Sequence, residues 1–308
     1  MSNGKLASLA VALLGATVLA ADQRRFRVGV DLVNFAVVVT DRHGAPVSGL
    51  TIDDFEVLER GKPQQVRFFA SSDPAISPPL HLGFLLDASG SMERDIADVR
   101  TAAIKFLNRN EQAVDVTLVD FDTEVRVTRY SGDDFPSLVE RIRMRKPGGF
   151  TAFYDALGVY LRGAAEQDGQ KILVVYTDGG DTRSTLRSNE VMDLLKASDI
   201  TMYTLGYLEH QTSSGRNSAQ MELQRFSSMT GGQAFFPTSL KELDTLYEKI
   251  LKEIAARYTL GYLSSDQRAD GTWRAVEIKL KRQDLRGARL RTRPGYYAPL
   301  APGASPSR

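Results

Sequence analysis

The chain has no cysteine. Disulfides, thiolate metal sites, a cysteine nucleophile and a lipidated amino-terminal cysteine are all excluded. Histidine is scarce. His43, His81 and His210 are the three, and none has another three or four residues on, so zinc-type spacing is absent. Any metal site must therefore be built from oxygen. An excess of one charge is missing too: 39 basic against 38 acidic residues leave a net charge of +1. No global field points to nucleic acid or to a membrane surface. The chain also lacks a Gly-x-Ser-x-Gly nucleophile elbow and a phosphate-binding P-loop.

No apolar run is long enough to span a bilayer. Leu6 to Leu19 covers 14 residues, against the ~20 a membrane helix needs. With Lys5 before it and Val18-Leu19-Ala20 as a small-residue cleavage site, it reads instead as a secretory signal over residues 1–20. The mature chain is then expected to have no transmembrane segment and to reach the periplasm or the cell exterior. The rest has the ordinary composition of a packed globular protein, 42% hydrophobic and 25% charged.

Residues 26–72 are β-rich. Arg60-Gly61-Lys62-Pro63 forms a turn between Phe55–Glu59 and Val66–Phe69. Ser71 to Pro79, with three prolines, reads as a linker. From residue 80 to 257 strands and helices alternate, which predicts a mostly parallel, doubly wound sheet with helices on both faces. Helices are expected at 93–108, 135–144, 153–166, 189–198, 218–229 and 240–257. Residues 258–298 return to β character. The two β segments are each too small to stand alone, so we expect them to pair into one β-sandwich, with the α/β domain inserted. Residues 299–308 read as a disordered tail. The arginine-rich stretch from Lys281 to Arg293 reads as an exposed hairpin with a solvated face.

Three short pieces carry the chemistry. The strand Phe84-Leu85-Leu86 ends in Asp87-Ala88-Ser89-Gly90-Ser91 and leads into a helix. Gly148-Gly149-Phe150-Thr151 precedes another helix. The strand Leu173–Tyr176 ends in Thr177-Asp178-Gly179, with Asp181 three residues further on. In an open parallel sheet the carboxyl ends of the strands share one rim, where ligands bind. Asp87, Ser89, Ser91, Thr151 and Asp178 are thereby expected on that rim as hard oxygen donors for Mg²⁺, with Ca²⁺ or Mn²⁺ as alternatives. Taken singly, each piece also reads as a helix cap or a turn. Their conjunction, in this order, favours the metal. Asp155 and Asp181 are expected to brace nearby loop backbone.

These motifs resemble the metal-ion-dependent adhesion site of von Willebrand factor A-type domains, and the resemblance spans about residues 80–257. It implies a doubly wound sheet with one antiparallel edge strand. It implies that Ser89, Ser91 and Thr151 or Asp178 share direct and water-mediated ligation, with Asp87 anchoring the shell. Phe150 departs from the pattern, where small residues are usual. The flanks Gly49-Leu50-Thr51-x-x-Asp54-Phe55 and Arg293-Pro294-Gly295-Tyr296 resemble an acidobacterial subgroup of these proteins.

The leading functional expectation is a non-enzymatic binding module whose cation accepts an acidic side chain of a protein partner. The polar loop from Leu208 to Ala219 is expected to touch that partner. The alternatives are a metal-dependent hydrolase, for which the rim offers Asp181 and Glu93 but no histidine, and an envelope scaffold with a non-functional metal site.

Overall fold

A computed structural model describes residues 32–71, 78–110 and 113–301. The expected signal segment, residues 26–31 of the expected β segment, most of the proline-containing linker and residues 302–308 of the expected tail lie outside these. In chain order the first strands are β1 (Val33–Thr40), β2 (Phe55–Glu59), β3 (Lys62–Gln64), β4 (Val66–Ala70) and β5 (Leu80–Asp87). There follow α1 (Ile96–Leu107), β6 (Ala113–Phe121), β7 (Val125–Ser131), α2 (Phe135–Met144), α3 (Phe153–Ala164), β8 (Gln170–Thr177) and α4 (Ser188–Ala197). Then come β9 (Thr201–Gly206), α5 (Ser213–Met229), β10 (Gln233–Phe235) and α6 (Leu240–Ala255). The chain closes with β11 (Tyr258–Tyr262), β12 (Trp273–Leu280), β13 (Arg289–Arg291) and β14 (Gly295–Tyr297).

The central sheet has the order β10-β9-β8-β5-β6-β7. All its pairs are parallel except β6 with β7. From β5 the chain winds first through β6 and β7 and then returns to β8 on the other side, so the strand order reverses between β5 and β8. A strand covered on both faces must be apolar throughout, and β5 is buried along its whole length. Leu82, Phe84 and Leu86 point to one face, where they meet Val99 and Phe106 of α1, Leu138 of α2 and Tyr247 of α6. Leu85 points to the other, with Phe153 and Leu157 of α3, Val191 of α4 and Phe226 of α5. Each such side chain contributes about 1.5–3 kcal/mol of burial free energy. Gly83 leaves room for this layering, since a Cβ there would run into the buried ring of Tyr160 on α3.

Two four-stranded antiparallel sheets complete the molecule, ordered β13-β1-β11-β4 and β14-β12-β2-β3. Each mixes strands from before and after the central sheet: β1 pairs with β11, and β2 with β12. They share one apolar cluster containing Phe35, Val37 and Val39 from β1, Val57 from β2, Leu260 from β11 and Ile278 from β12. A buried polar knot sits among these strands. Glu59 accepts hydrogen bonds from the hydroxyls of Tyr262 (2.8 Å), Tyr296 (2.9 Å) and Ser264 (2.8 Å), and Arg274 Nη1 stands 3.7 Å from it.

Several local expectations need correction. The helix expected from Glu93 is split into a 3-10 turn over Gly90–Arg94 and α1 from Ile96, so no long helix dipole begins directly after Ser91. α5 starts at Ser213, five residues earlier than expected, because the Thr212 side chain caps it by accepting from Gly215 N–H. The basic stretch is not a solvated hairpin, since β12 and β13 lie in different sheets. Its Arg291 pairs with the buried Glu253, and Arg293 donates to the carbonyls of Ser198 and Asn34 while lying over the Phe35 ring. Within the expected tail, Leu300 bridges Asp270, and Ala301 N–H donates to the Ala269 carbonyl.

Candidate metal centre

Asp87 ends β5 and is fully buried. Burial withholds water from a carboxylate, so its oxygens need other partners. Oδ1 accepts from Ser89 N–H at 2.9 Å and Oδ2 from the Thr177 hydroxyl at 2.7 Å. Thr177 ends β8, the strand across the reversal point, so this bond ties the two strand ends together. Burial, and then the charge of Asp178, hold the Asp87 carboxyl up at about 7. Asp178 is itself largely buried, and its Oδ1 accepts from Gly180 N–H.

The hydroxyls converge from two loops. Ser89 Oγ and Ser91 Oγ lie 3.0 Å apart, with Ser89 buried and Ser91 exposed. The loop carrying Thr151 is laced to them: Gly148 N–H donates to the Ala88 carbonyl at 2.9 Å and Gly90 N–H to the Gly149 carbonyl at 3.1 Å. Gly149 has φ +77°, and a Cβ there would stand 2.5 Å from Thr123 Oγ1. Only glycine suits that turn. Thr123 Oγ1 accepts from Phe150 N–H at 2.9 Å, Thr182 Oγ1 accepts from Thr151 N–H at 3.0 Å, and the Thr151 carbonyl accepts from Thr182 and Arg183. The Thr151 loop is thus tied to the turn between β6 and β7 and to the loop after β8. All five expected residues stand on one rim.

The donor set fits a hard divalent ion. It holds two carboxylates and three hydroxyls, all oxygen. Asp87 faces a second carboxylate in a buried place, an arrangement that a cation between them would relieve. Among the described residues, the Thr151 hydroxyl and Asp178 Oδ2 carry no hydrogen bond. No group of three or more histidine or acidic side chains among the described residues is placed to hold a metal, so an ion here would lean on the hydroxyls.

Asp155 and Asp181 are committed elsewhere. Asp181 accepts from Tyr154 N–H, Ser184 N–H and the Ser184 hydroxyl. Asp155 accepts from Thr185 and Leu186 N–H. They brace the loop after Asp178 against α3.

Sequence reasoning missed other rim groups. Thr177, adjacent to Asp178, is the hydroxyl that locks Asp87, and Thr182 locks Thr151. A histidine does reach the rim: His210 Nε2 lies 3.6 Å from Asp95 Oδ1. Asp95 is close enough to Asp178 to feel its charge, and burial is the largest cause raising its pKa. Gln211 donates to the Asp178 carbonyl at 2.5 Å, so the loop after β9 is joined to the Asp178 loop. Phe150 projects from its locked backbone with 62% of its surface exposed.

The strand order, the reversal at β5 and β8, and the rim motifs coincide with a family match. The family model for the von Willebrand factor type A domain matches residues 81–249. The chain belongs to the von Willebrand factor type A domain family. The helices and strands of that domain are those from β5 to α6.

Three solved structures illustrate the likeness to this von Willebrand factor type A protein. The PilB minor pilin from Streptococcus sanguinis is 15% identical, over 58% of this chain and 62% of that one, with a TM-score of 0.48. This chain thus spans less than two thirds of the pilin. The vWF domain of the type V pili tip protein Mfa5 from Porphyromonas gingivalis is 13% identical, over 57% and 96%, at 0.46. A von Willebrand factor type A structure from Catenulispora acidiphila is 12% identical, over 89% and 75%, at 0.48. At these scores the likenesses say nothing about function. Among curated proteins, none matches the chain.

Proposed function

We propose that this von Willebrand factor type A protein is a metal-dependent binding module of the cell envelope or exterior. Asp87, Ser89, Ser91, Thr151 and Asp178 would hold Mg²⁺, with Ca²⁺ or Mn²⁺ as other hard-ion occupants, in a metal-ion-dependent adhesion site. The bound ion would accept an acidic side chain of a protein partner as a further oxygen ligand. One observation carries this reading: a fully buried Asp87 faces Asp178 with three hydroxyls on hydrogen-bonded loops around them.

The chain's own residues prepare the rim. Thr177 and Ser89 N–H fix the Asp87 carboxylate, Gly149 and Thr182 fix Thr151, and Gln211 fixes the Asp178 loop. With neutral hydroxyls in the majority, the ion keeps enough positive character to attract an outside anion. Phe150 adds a pre-ordered aromatic contact beside it, the type of residue that anchors interfaces. Residues 208–212, rather than the whole stretch to Ala219, form the loop ahead of α5 that we expect to touch the partner. Export rests on residues 1–20. Among the described residues no helix is long and apolar enough to cross a membrane. In domain terms, we propose that residues 80–257 are an α/β domain inserted into a β-sandwich whose described strands fall within 32–71 and 258–298.

Catalysis is disfavoured because Asp181, a candidate base on the rim, spends its oxygens on backbone and Ser184. His210, whose Nε2 lies 3.6 Å from Asp95 Oδ1, is the rim group a hydrolase reading would use, and turnover assays test that reading. The test is capture of envelope proteins on the immobilised chain, run with Mg²⁺ and with chelator, beside turnover assays on generic phosphate and ester substrates. We expect a partner retained with Mg²⁺ alone, retention weakened by Phe150→Ser, and no turnover. Retention indifferent to chelator, or Mg²⁺-dependent turnover, contradicts the proposal.

A further inference from the structure

A cavity of about 370 Å³ lies where the α/β unit meets the antiparallel sheets. That size is within the range of small-molecule sites. It stands apart from the metal rim. Its α/β wall comes from the start of β10 and the last turns of α5 and α6. Asp87 and Asp178 instead sit at the carboxyl ends of strands running parallel to β10.

The pattern of each wall explains why charge gathers here. Along β13, Leu290 packs toward the antiparallel core, so Arg289 and Arg291 must point the other way. Along α6, Lys249 and Glu253 are one turn apart and share a face. Glu253 is fully buried. Its Oε2 accepts from the Tyr203 hydroxyl at 3.1 Å and from Arg291 Nη2. Its Oε1 has no partner, and neither has the buried Nη1 of Arg291. An acceptor and a donor are thus left unpaired on two side chains that line the cavity, and buried groups of this kind are costly to leave unmet. Lys249, 5.0 Å from the centre of the Phe235 ring, and the exposed Arg289 add two cations that pair with no acid among the described residues. Asp41, the other acid lining the cavity, already accepts from His43 and Ala45 N–H.

We propose that this cavity binds a small hydroxylated anion. Its anionic oxygens would meet Lys249, Arg289 and the unpaired N–H of Arg291, while a neighbouring hydroxyl would donate to Glu253 Oε1. A sugar phosphate and a sugar acid share this chemistry. The site is independent of the metal reading.

Titration calorimetry and thermal melting of the full chain test it, with chelator present so that no anion binds through a divalent ion. The probes are glucose 6-phosphate, glucuronate, glucose and inorganic phosphate. We expect at least one of the two hydroxylated anions to bind and raise the melting temperature, and the tighter of them identifies the source. Glucose and inorganic phosphate should bind at least tenfold more weakly. Lys249→Met and Arg289→Ser should each weaken binding by about tenfold while the free protein melts as before. These two positions are chosen because Glu253→Gln, buried against Tyr203, risks unfolding the chain. No binding by any probe, equal binding of glucose or phosphate, or binding unmoved by both substitutions overturns the proposal.

Discussion

Asp87 is held protonated more readily than an ordinary aspartate, with its carboxyl near 7 because it is buried and faces Asp178. A proton and a divalent ion therefore compete for it. Above pH 7 the carboxylate is free for the ion, and below it the proton has to leave first. Mg²⁺ affinity should fall as pH drops from 8 to 6, with protons released on binding. Calorimetry in buffers of different ionisation enthalpy reads both, and affinity flat over that range would contradict the assignment. The same shift has a consequence without metal. Between about 4 and 7 the folded state keeps a proton that the unfolded chain, with its ordinary aspartate pKa, has lost. In chelator this group's contribution to stability should thus decline as pH rises through that window, and Mg²⁺ should offset the decline. Thermal melts at pH 5 and pH 7.5, with and without Mg²⁺, check the sign.

At the scale of elements, Gly149 is where loop geometry and site meet. Its φ of +77° and the nearness of Thr123 Oγ1 leave no room for a side chain. Gly149→Ala should destabilise the fold by about 1 kcal/mol or more and weaken Mg²⁺ binding, since the shift passes directly to Thr151. Unchanged affinity would show that Thr151 is not a ligand. The elements themselves were largely legible, because buried parallel strands must be apolar runs and the helices show their core face at regular spacing. Thr177-Asp178-Gly179 and Asp87-Ala88-Ser89-Gly90-Ser91 stood out because strand ends of a doubly wound sheet share one rim. What escaped was decided by distant or very local partners. The start of α5 hid in a Ser- and Gly-containing stretch with poor helix propensity, which a Thr212 cap overcomes. Arg291 looked solvated because nothing near it in the chain announces Glu253, 38 residues away. β14 is three residues long and gains its place only by pairing with β12.

At the scale of the whole molecule, both antiparallel sheets join strands from before and after the central sheet, so the chain's two β segments stand or fall together. The Glu59–Arg274 pair is buried on both sides and braced by three hydroxyls. Without Glu59, Arg274 keeps Asp266 at 3.5 Å and Asp270 at 4.0 Å, but the buried hydroxyls of Tyr262 and Tyr296 lose their acceptor. Glu59→Ala should therefore cost about 1–3 kcal/mol, read by denaturant unfolding, and no measurable loss would mean the knot adds little. The central claim is that the five rim residues hold a divalent ion. Its most direct test is calorimetric titration of Mg²⁺ into the full chain and into Asp87→Ala, with circular dichroism confirming that the variant is folded. We predict saturable binding to the natural chain, a melting temperature raised by mass action, and neither effect in Asp87→Ala. No heat from Mg²⁺ or Mn²⁺ on the natural chain, or equal binding by the folded variant, would contradict the claim.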